Sequence, residues 1–275
     1  MKIGIVGHGF VGGAVDYGFT HPDIEKYIVD PKYGTTIKEL CKTDPKFTFV
    51  CVPTPMSLDG SIDASIVLST VKEIDRRCRF SKPIVILKST VTPDIIEELS
   101  FYNGHLVYNP EFLLEKNAKA DFVNPPFHII GGSSKACFAV SELYEDYSLC
   151  NKAPFHYMTA KEASFVKYGI NCFLATKVTF FNQLYDACVA EGCNFNKVAR
   201  AIGADARVGL GHTKVPGFDG KMGYGGACFP KDTAAFVNYN ESLTLVQEII
   251  RINNGYRKQY ELDEREKVQN IRYGE

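Results

Sequence analysis

The sequence predicts an α/β protein: a doubly wound, mostly parallel sheet followed by a mainly helical domain with a long central helix. Three features carry this expectation. Short β-branched or aromatic runs alternate with helix-length segments through the first 155 residues. A proline-free, mostly apolar segment, Lys161–Ala190, follows them. A glycine-dense stretch, Gly203 to Gly226, then separates it from a last helical region. Strands that alternate with helices imply a parallel sheet covered on both faces.

The candidate strands are Lys2–Val6, Lys26–Val29, Phe47–Val52, Ile84–Lys88, His105–Tyr108 and Phe127–Ile130, each ended by Gly, Pro or Asp or close to one. In the central segment Ala163, Val166, Ile170, Leu174, Val178, Phe181 and Tyr185 recur at helical spacing. Few charges interrupt them, so this helix is expected to be largely buried. A shorter helix is expected around Asn196–Ile202. The glycine-dense stretch is too rich in turn residues for regular structure. A final helix is expected from Asp232 or Thr233 toward Tyr260, with an interruption at Asn238, Tyr239 and Asn240. Glu261–Glu275 is polar and reads as a solvated tail. The expected organisation is therefore a sheet domain over 1–155, a helical domain over 156–260 and a tail over 261–275.

The bulk numbers narrow the class. The chain has 275 residues, 45% hydrophobic and 23% charged, as a globular protein does. A net charge of −1 gives no electrostatic reason for binding nucleic acid or an anionic membrane. No apolar run approaches the length that crosses a bilayer, and the N-terminus reaches glycine too soon for a secretory signal. Nine cysteines are scattered without a C-x-x-C pair. That argues against a disulfide framework and a structural zinc site, and points to a reducing cytoplasm with mostly buried thiols.

Gly7-His8-Gly9-Phe10-Val11-Gly12 fits G-x-G-x-x-G directly after the first strand and at the opening of an amphipathic helix. Asp30 ends the next strand, eighteen positions after Gly12. That context makes the motif a dinucleotide fingerprint in a Rossmann-like sheet. The first glycine makes the turn, the second lets the backbone approach a pyrophosphate, and the third packs helix on strand. A carboxylate at Asp30 accepts ribose hydroxyls and repels a 2′-phosphate, which favours NAD over NADP.

Three later strand ends should line the same cleft: Val52-Pro53-Thr54-Pro55, Lys88-Ser89-Thr90-Val91 and Tyr108-Asn109-Pro110-Glu111. Asn109, Pro110 and Glu111 read as N-cap, first helical position and first-turn acid. Glu111 and Glu115 would then share a helix face; spacing alone favours the reading that Glu111 complements the helix dipole and Glu115 is solvated, over a catalytic pair. Lys167 and Asn171 lie one turn apart on the long helix. The lysine either snorkels to water or faces a cleft, where it would stabilise an oxyanion. Gly223-Tyr224-Gly225-Gly226-Ala227-Cys228-Phe229-Pro230-Lys231-Asp232 is the sharpest local signal. Its glycines would let backbone approach a bulky ligand, and a helix start beside Lys231 would favour a Cys228 thiolate.

Taken in order, these segments resemble the UDP-glucose/GDP-mannose dehydrogenases. The resemblance runs through Gly7–Gly12, Val52–Pro55, Lys88–Val91, Asn109-Pro110-Glu111-Phe112-Leu113-Leu114-Glu115, Lys167-Tyr168-Gly169-Ile170-Asn171, Asp205-Ala206-Arg207-Val208-Gly209 and Gly225–Asp232. It implies a four-electron oxidation of a sugar C6 alcohol to a carboxylate by two successive NAD molecules. Cys228 would attack the intermediate aldehyde. Asp232 and Lys167 would handle the alcohol proton, and Lys167 with Asn171 would hold the oxyanion. Glu111 with Thr90 would direct the hydrolytic water. Phe10, Val11, Pro53, Thr54, Thr90, Glu115 and Lys231 would complete the cofactor site. Phe112, Leu113, Tyr224 and Gly225 would line the sugar-nucleotide pocket, joined by Arg207 from a neighbouring subunit. The resemblance also implies a homodimer formed along the central helix.

The chain departs from the family pattern in places. The third, substrate-closing domain is expected to be missing, since the sequence stops at Glu275. Leu114 stands for a common arginine, Lys116 for a glycine, and Thr213–Lys221 looks lengthened. UDP-glucose is the first substrate expectation. GDP-mannose, a UDP-N-acetylhexosamine or a truncated, non-catalytic NAD-binding dimer are the alternatives. A two-electron hydroxyacid dehydrogenase has no need of the cysteine.

Overall fold

The computed structural model describes residues 1–80, 82–114 and 117–274. The chain divides into two compact units, Met1–Thr54 with Asp63–Lys167 and Pro55–Ile62 with Tyr168–Glu275. The division falls inside the long helix rather than near residue 155, and the second unit borrows a short excursion from the first half of the chain.

The first unit contains β1 (Lys2–Val6), α1 (Phe10–Gly18), β2 (Glu25–Val29), α2 (Ile37–Lys42), β3 (Phe47–Val50), α3 (Ser65–Arg77), β4 (Ile84–Leu87), α4 (Pro93–Glu98), β5 (Leu106–Tyr108), α5 (Ala118–Val123), β6 (His128–Gly132), α6 (Ser134–Tyr147), β7 (Phe155–Met158) and the start of α7 (Ala160–Ala190). Among the described residues the seven strands form one sheet in the order β2-β1-β3-β4-β5-β6-β7. All pairs are parallel except β5 with β6. Residues of β3 are buried throughout, as a strand covered on both faces requires. The core joins Ile3, Ile5, Phe19, Phe49, Ile86 and Val140 across strands and helices. β7 is not among the strands expected from the sequence because Phe155-His156-Tyr157-Met158 lacks a buried face: two of its four residues are exposed.

Two local expectations fail for identifiable reasons. Residues 111–114 are not helical. The Asn109 side chain, which would have capped a helix there, is used by Lys88, Tyr144 and the Ile129 carbonyl. Cys41 and Cys78 form a disulfide that joins α2 to the end of α3, with Cα atoms 5.1 Å apart. Their spacing of 37 residues makes no motif. The Cys137, Cys172 and Cys188 thiols are buried, whereas Cys193 is exposed.

In the second unit α7 continues to Ala190 and is followed by α8 (Phe195–Gly203), α9 (Phe229–Tyr239), α10 (Thr244–Arg257) and α11 (Glu264–Val268). Phe181, Cys188, Phe195 and Val215 make its apolar centre, and Tyr168 stacks on Phe236 at 5.1 Å. Helix α7 starts where Thr159 and Glu162 exchange hydrogen bonds as a capping box. It is less buried than expected: Phe173 is 67% and Phe180 55% exposed. The expected final helix is two helices, broken at Asn240–Leu243. The first begins at Phe229, earlier than Asp232, because Pro230 tolerates the first turn and Thr233 bonds back to the Phe229 carbonyl. Residues 261–274 are no solvated tail. They hold α11, whose capping box joins Asp263 and Glu266, and they bury Glu266 and Ile271. The excursion at 55–62 joins them through Met56 N–H to the Gln269 carbonyl at 2.9 Å. Among the described residues no helix is long and apolar enough to cross a membrane, and no cluster of His, Cys, Asp or Glu could hold a metal.

His128 on β6 stacks on Phe155 at 4.6 Å and lies 4.8 Å from the Tyr144 ring. Burial, with the Lys88 ammonium nearby, pushes its imidazole down to about 4. A depressed folded pKa means that the neutral ring is favoured in the fold, so its stabilisation is complete above about 6.5 and is lost as pH falls toward 4. His128→Phe should therefore flatten the loss of stability between pH 7 and pH 5 by about 2 kcal/mol. Denaturant melts of both proteins at the two pH values check this.

Candidate functional site

The end of β1 leads into the glycine turn, where Gly9 is the N-cap of α1 and supplies no side-chain cap. Its first-turn N–H groups are thereby left to a ligand, and the positive helix end favours an anion. A Cβ on Gly12 would lie 1.9 Å from the Gly7 carbonyl oxygen, so only glycine packs helix on strand there. A Cβ on Gly9 would meet nothing within 4 Å, which leaves the approach open. Asp30 holds this loop as well as facing it: its carboxylate accepts N–H groups of His8 at 2.6 Å and Lys32 at 3.0 Å. Burial raises the Asp30 carboxyl, but those N–H groups and the Lys32 charge outweigh it and hold it below the usual range. Each oxygen keeps a second lone pair for a ribose hydroxyl. The residues present thus fit a dinucleotide. Phe10 is exposed and Val11 half-buried at the start of the same helix; Thr54 is buried, Pro53 exposed and Thr90 half-buried at the ends of neighbouring strands. Glu115, expected beside the cofactor, lies outside the described residues.

The sheet's other strand ends carry a buried polar cluster. Lys88 Nζ donates to Asn109 Oδ1 at 2.9 Å, and the Tyr144 hydroxyl donates to the same atom at 2.8 Å. Burial pushes Lys88 down to about 8 and the neighbouring Cys51 thiol up to about 12. Beyond Pro110 the chain turns Glu111 toward α7. Lys167 Nζ reaches the Glu111 carbonyl at 2.6 Å and its Oε1 at 3.2 Å, and lies 5.2 Å from the Phe112 ring centroid. Lys167 is 2% exposed, so it does not snorkel to water. Glu111 Oε2 accepts the Leu113 N–H at 2.7 Å, which orders the 111–114 segment.

The second unit holds the remaining expected groups. Cys228 is the N-cap of α9 and is half-buried. In the first turn Asp232 accepts Asn171 Nδ2 at 2.6 Å through Oδ2 and Lys231 Nζ at 2.5 Å through Oδ1. All three are at least 95% buried. The Lys231 ammonium, expected at the cofactor, is engaged by this carboxylate. The Tyr224 ring, expected at the pocket, packs inward: its hydroxyl is 3.5 Å from Thr233 Oγ1 and it is 3% exposed. Gly225 meets protein as well, since a Cβ there would lie 2.1 Å from Arg257 Nη2. Arg207 extends into solvent with its side chain 89% exposed, bonded to Asp205 through Nε and Nη2.

The structure therefore pairs Lys167 with Glu111 in one unit and groups Asn171, Lys231 and Asp232 in the other. It also adds groups that motif spacing misses. Asn109 reads from sequence as a helix cap. Asn182 and Asn253, which bond the Gly223 and Tyr224 backbone at 2.8 Å and 2.7 Å, carry no motif signal.

Residues 32–148 match the NAD-binding domain of the UDP-glucose/GDP-mannose dehydrogenase family, and residues 161–255 match its central domain. The chain is 35% identical over 221 residues to UDP-glucose 6-dehydrogenase of Pseudomonas aeruginosa, a match covering 76% of this chain and 47% of that protein. It is 33% identical over 223 residues to UDP-glucose 6-dehydrogenase TuaD of Bacillus subtilis, covering 76% and 46%. The chain thus spans about half the length of the curated relatives it matches. Among solved structures it resembles a UDP-glucose dehydrogenase from Pyrobaculum islandicum, with a TM-score of 0.79, 27% identity, and 92% of this chain and 68% of that one covered. The cofactor is NAD.

The glycine geometry separates folding from binding. Gly9→Ala should keep folding stability within about 1 kcal/mol while weakening NAD about tenfold, or 1.4 kcal/mol. Gly12→Ala should lose both. Calorimetric NAD titration and thermal melts of the two variants distinguish them.

Proposed function

The chain belongs to the UDP-glucose/GDP-mannose dehydrogenase family, and we propose on that footing that it oxidises the C6 alcohol of a nucleotide sugar, UDP-glucose first, to the carboxylate. The carrying observation is the thiol of Cys228 at the start of α9, with Asp232 buried in the first turn between Lys231 and Asn171 of α7.

NAD, when bound, supplies the hydride acceptor, one molecule for each two-electron step. The chain supplies the rest. Asp232 has an acceptor site left on each oxygen and takes the alcohol proton, directly or through water, as the C6 hydride leaves. The Cys228 sulfur then bonds to the aldehyde carbon, giving a thiohemiacetal, and the positive end of α9 favours the charge on the attacking sulfur. Asn171, whose Nδ2 carries a second N–H, and the Lys167 ammonium stabilise the oxyanion. Loss of a second hydride and a proton leaves a thioester on Cys228. Water, directed by Glu111 with Thr90, adds to that carbonyl; the carbon–sulfur bond breaks, the acid departs and the thiol is restored. Holding the aldehyde on sulfur keeps it from escaping between oxidations.

Incubation with NAD and UDP-glucose should yield two NADH per sugar. Absence of NADH with UDP-glucose, GDP-mannose and UDP-N-acetylmannosamine alike would remove the proposal, and a response to one of the latter two alone would move the substrate. Cys228→Ala should lower carboxylate formation about 10³-fold or more; full acid production by that variant contradicts the thioester route.

The exposed Phe173 and Phe180, seven residues apart on one face of α7, support association of two chains along this helix, with Arg207 presented to the partner's substrate. Phe173→Glu with Phe180→Glu should convert a dimer into a monomer in sedimentation equilibrium; a wild-type monomer at micromolar concentration rejects the association.

A further inference from the structure

The loop that precedes Cys228 is built against a buried ion pair. A Cβ on Gly225 would lie 2.1 Å from Arg257 Nη2 and 2.7 Å from Glu266 Oε1. Glu266 is fully buried, and its Oε1 accepts the Gly226 N–H at 3.0 Å, Arg257 Nη2 at 2.8 Å and the Tyr273 hydroxyl at 2.6 Å. Its Oε2 accepts the Asp263 N–H at 2.9 Å. Arg257 is 1% exposed and sends Nη1 to Asp219 Oδ2 at 2.7 Å. One guanidinium thus ties the glycine-dense stretch at Asp219 to the C-terminal segment at Glu266. Earlier in the loop Asn182 and Asn253 hold the Gly223 and Tyr224 N–H groups.

Burying two charges costs several kcal/mol in desolvation, so such a pair adds little stability over apolar residues of the same volume. What it does provide is geometry. Four donors converge on one carboxylate, and one of them is the main chain two residues before the thiol. Gly226 has φ +79°, a conformation that an L side chain rarely adopts, and a Cβ there would meet nothing within 4 Å. The strain-prone conformation at Gly226 therefore faces open space, while the Glu266 bond fixes its N–H.

We propose that Glu266, oriented by Arg257 and Tyr273, is a positioning residue for Cys228: through the Gly226 N–H it sets where the thiol stands at the start of α9. This rests on Cys228 being the nucleophile. The C-terminal segment 261–274 then acts on the reaction through the Gly226 main chain.

The test uses the full chain and three variants, Glu266→Ala, Glu266→Gln and Tyr273→Phe. Alkylation of Cys228 by iodoacetamide is followed across pH at the Cys228 peptide by mass spectrometry, alongside kcat and KM with UDP-glucose. Glu266→Ala should displace the pH profile of alkylation and lower kcat about tenfold to a hundredfold, with KM and NAD affinity within about twofold of wild type. Glu266→Gln keeps an acceptor for Gly226 and should recover most of kcat. If Glu266→Ala does not fold, Tyr273→Phe, which leaves no buried charge unpaired, should give the same displacement in smaller size. Wild-type alkylation profiles and wild-type kcat in the folded variants would overturn the proposal. A wild-type chain that yields no NADH, yet whose Cys228 alkylation still responds to Glu266→Ala, would sink the dehydrogenase function and leave the positioning intact.

Discussion

A buried carboxamide holds the carboxyl edge of the sheet in place. Asn109 Oδ1 accepts from Lys88 and Tyr144, and its Nδ2 donates to the Ile129 carbonyl at 2.8 Å. These contacts join the ends of β4 and β5 to β6 and α6, at the position where strand direction reverses. A polar group left unpaired there costs about 1–3 kcal/mol, so the three bonds are a condition of burying the site at all. They also set the path of the residues after Asn109. With its side chain committed inward, Asn109 cannot cap a helix, and the chain continues as an ordered loop that brings Glu111 to Lys167. The route of this loop follows from one side chain having a better set of partners than the helix offered.

The second unit obeys the same rule with charges. Lys231 and Asn171 donate to the two oxygens of Asp232, and Arg257 donates to Asp219 and Glu266. Burial is compensated by a carboxylate in each case, from the same turn for Lys231 and from another part of the chain for Asn171 and Arg257. Lys88 is the contrast: an amide oxygen is its hydrogen-bond acceptor, and burial brings it down to about 8.

Much of this is legible in the sequence and part is not, for physical reasons. The fingerprint at Gly7–Gly12 with Asp30 is local: turn, helix start and strand end lie within a few residues, so composition constrains geometry. Helix α7 is legible because it is long and proline-free, with apolar residues recurring at helical spacing. The start of α9 lies a few residues before the expected one, since Asp232 is an ordinary cap type while Pro230 at the second position is as good a start signal. The remaining gaps are long-range. Asn109 finds partners 20 to 35 residues away, Cys41 bonds to Cys78, and Arg257 reaches Asp219 across 38 residues. No periodicity reports such pairings, and a polar C-terminal stretch with a buried glutamate looks the same as one that is solvated.

The glycines around Cys228 show how the same residue type serves two ends. Read as a motif, they clear space for a ligand; in the structure Gly225 clears space for the Arg257–Glu266 pair, and Gly226 opens outward. A ligand-facing glycine loop that relied on its own stiffness would be mobile, because glycine loses more conformational freedom on folding than any other residue. Clamping it from behind with amide and carboxylate acceptors removes that freedom without placing any side chain on the open side. On the proposed chemistry the thiol must stand within bonding distance of an aldehyde carbon, and a misplacement of about 1 Å costs about a hundredfold. A permissive backbone next to the nucleophile therefore requires an external restraint, and the buried glutamate of α11 is placed to be one.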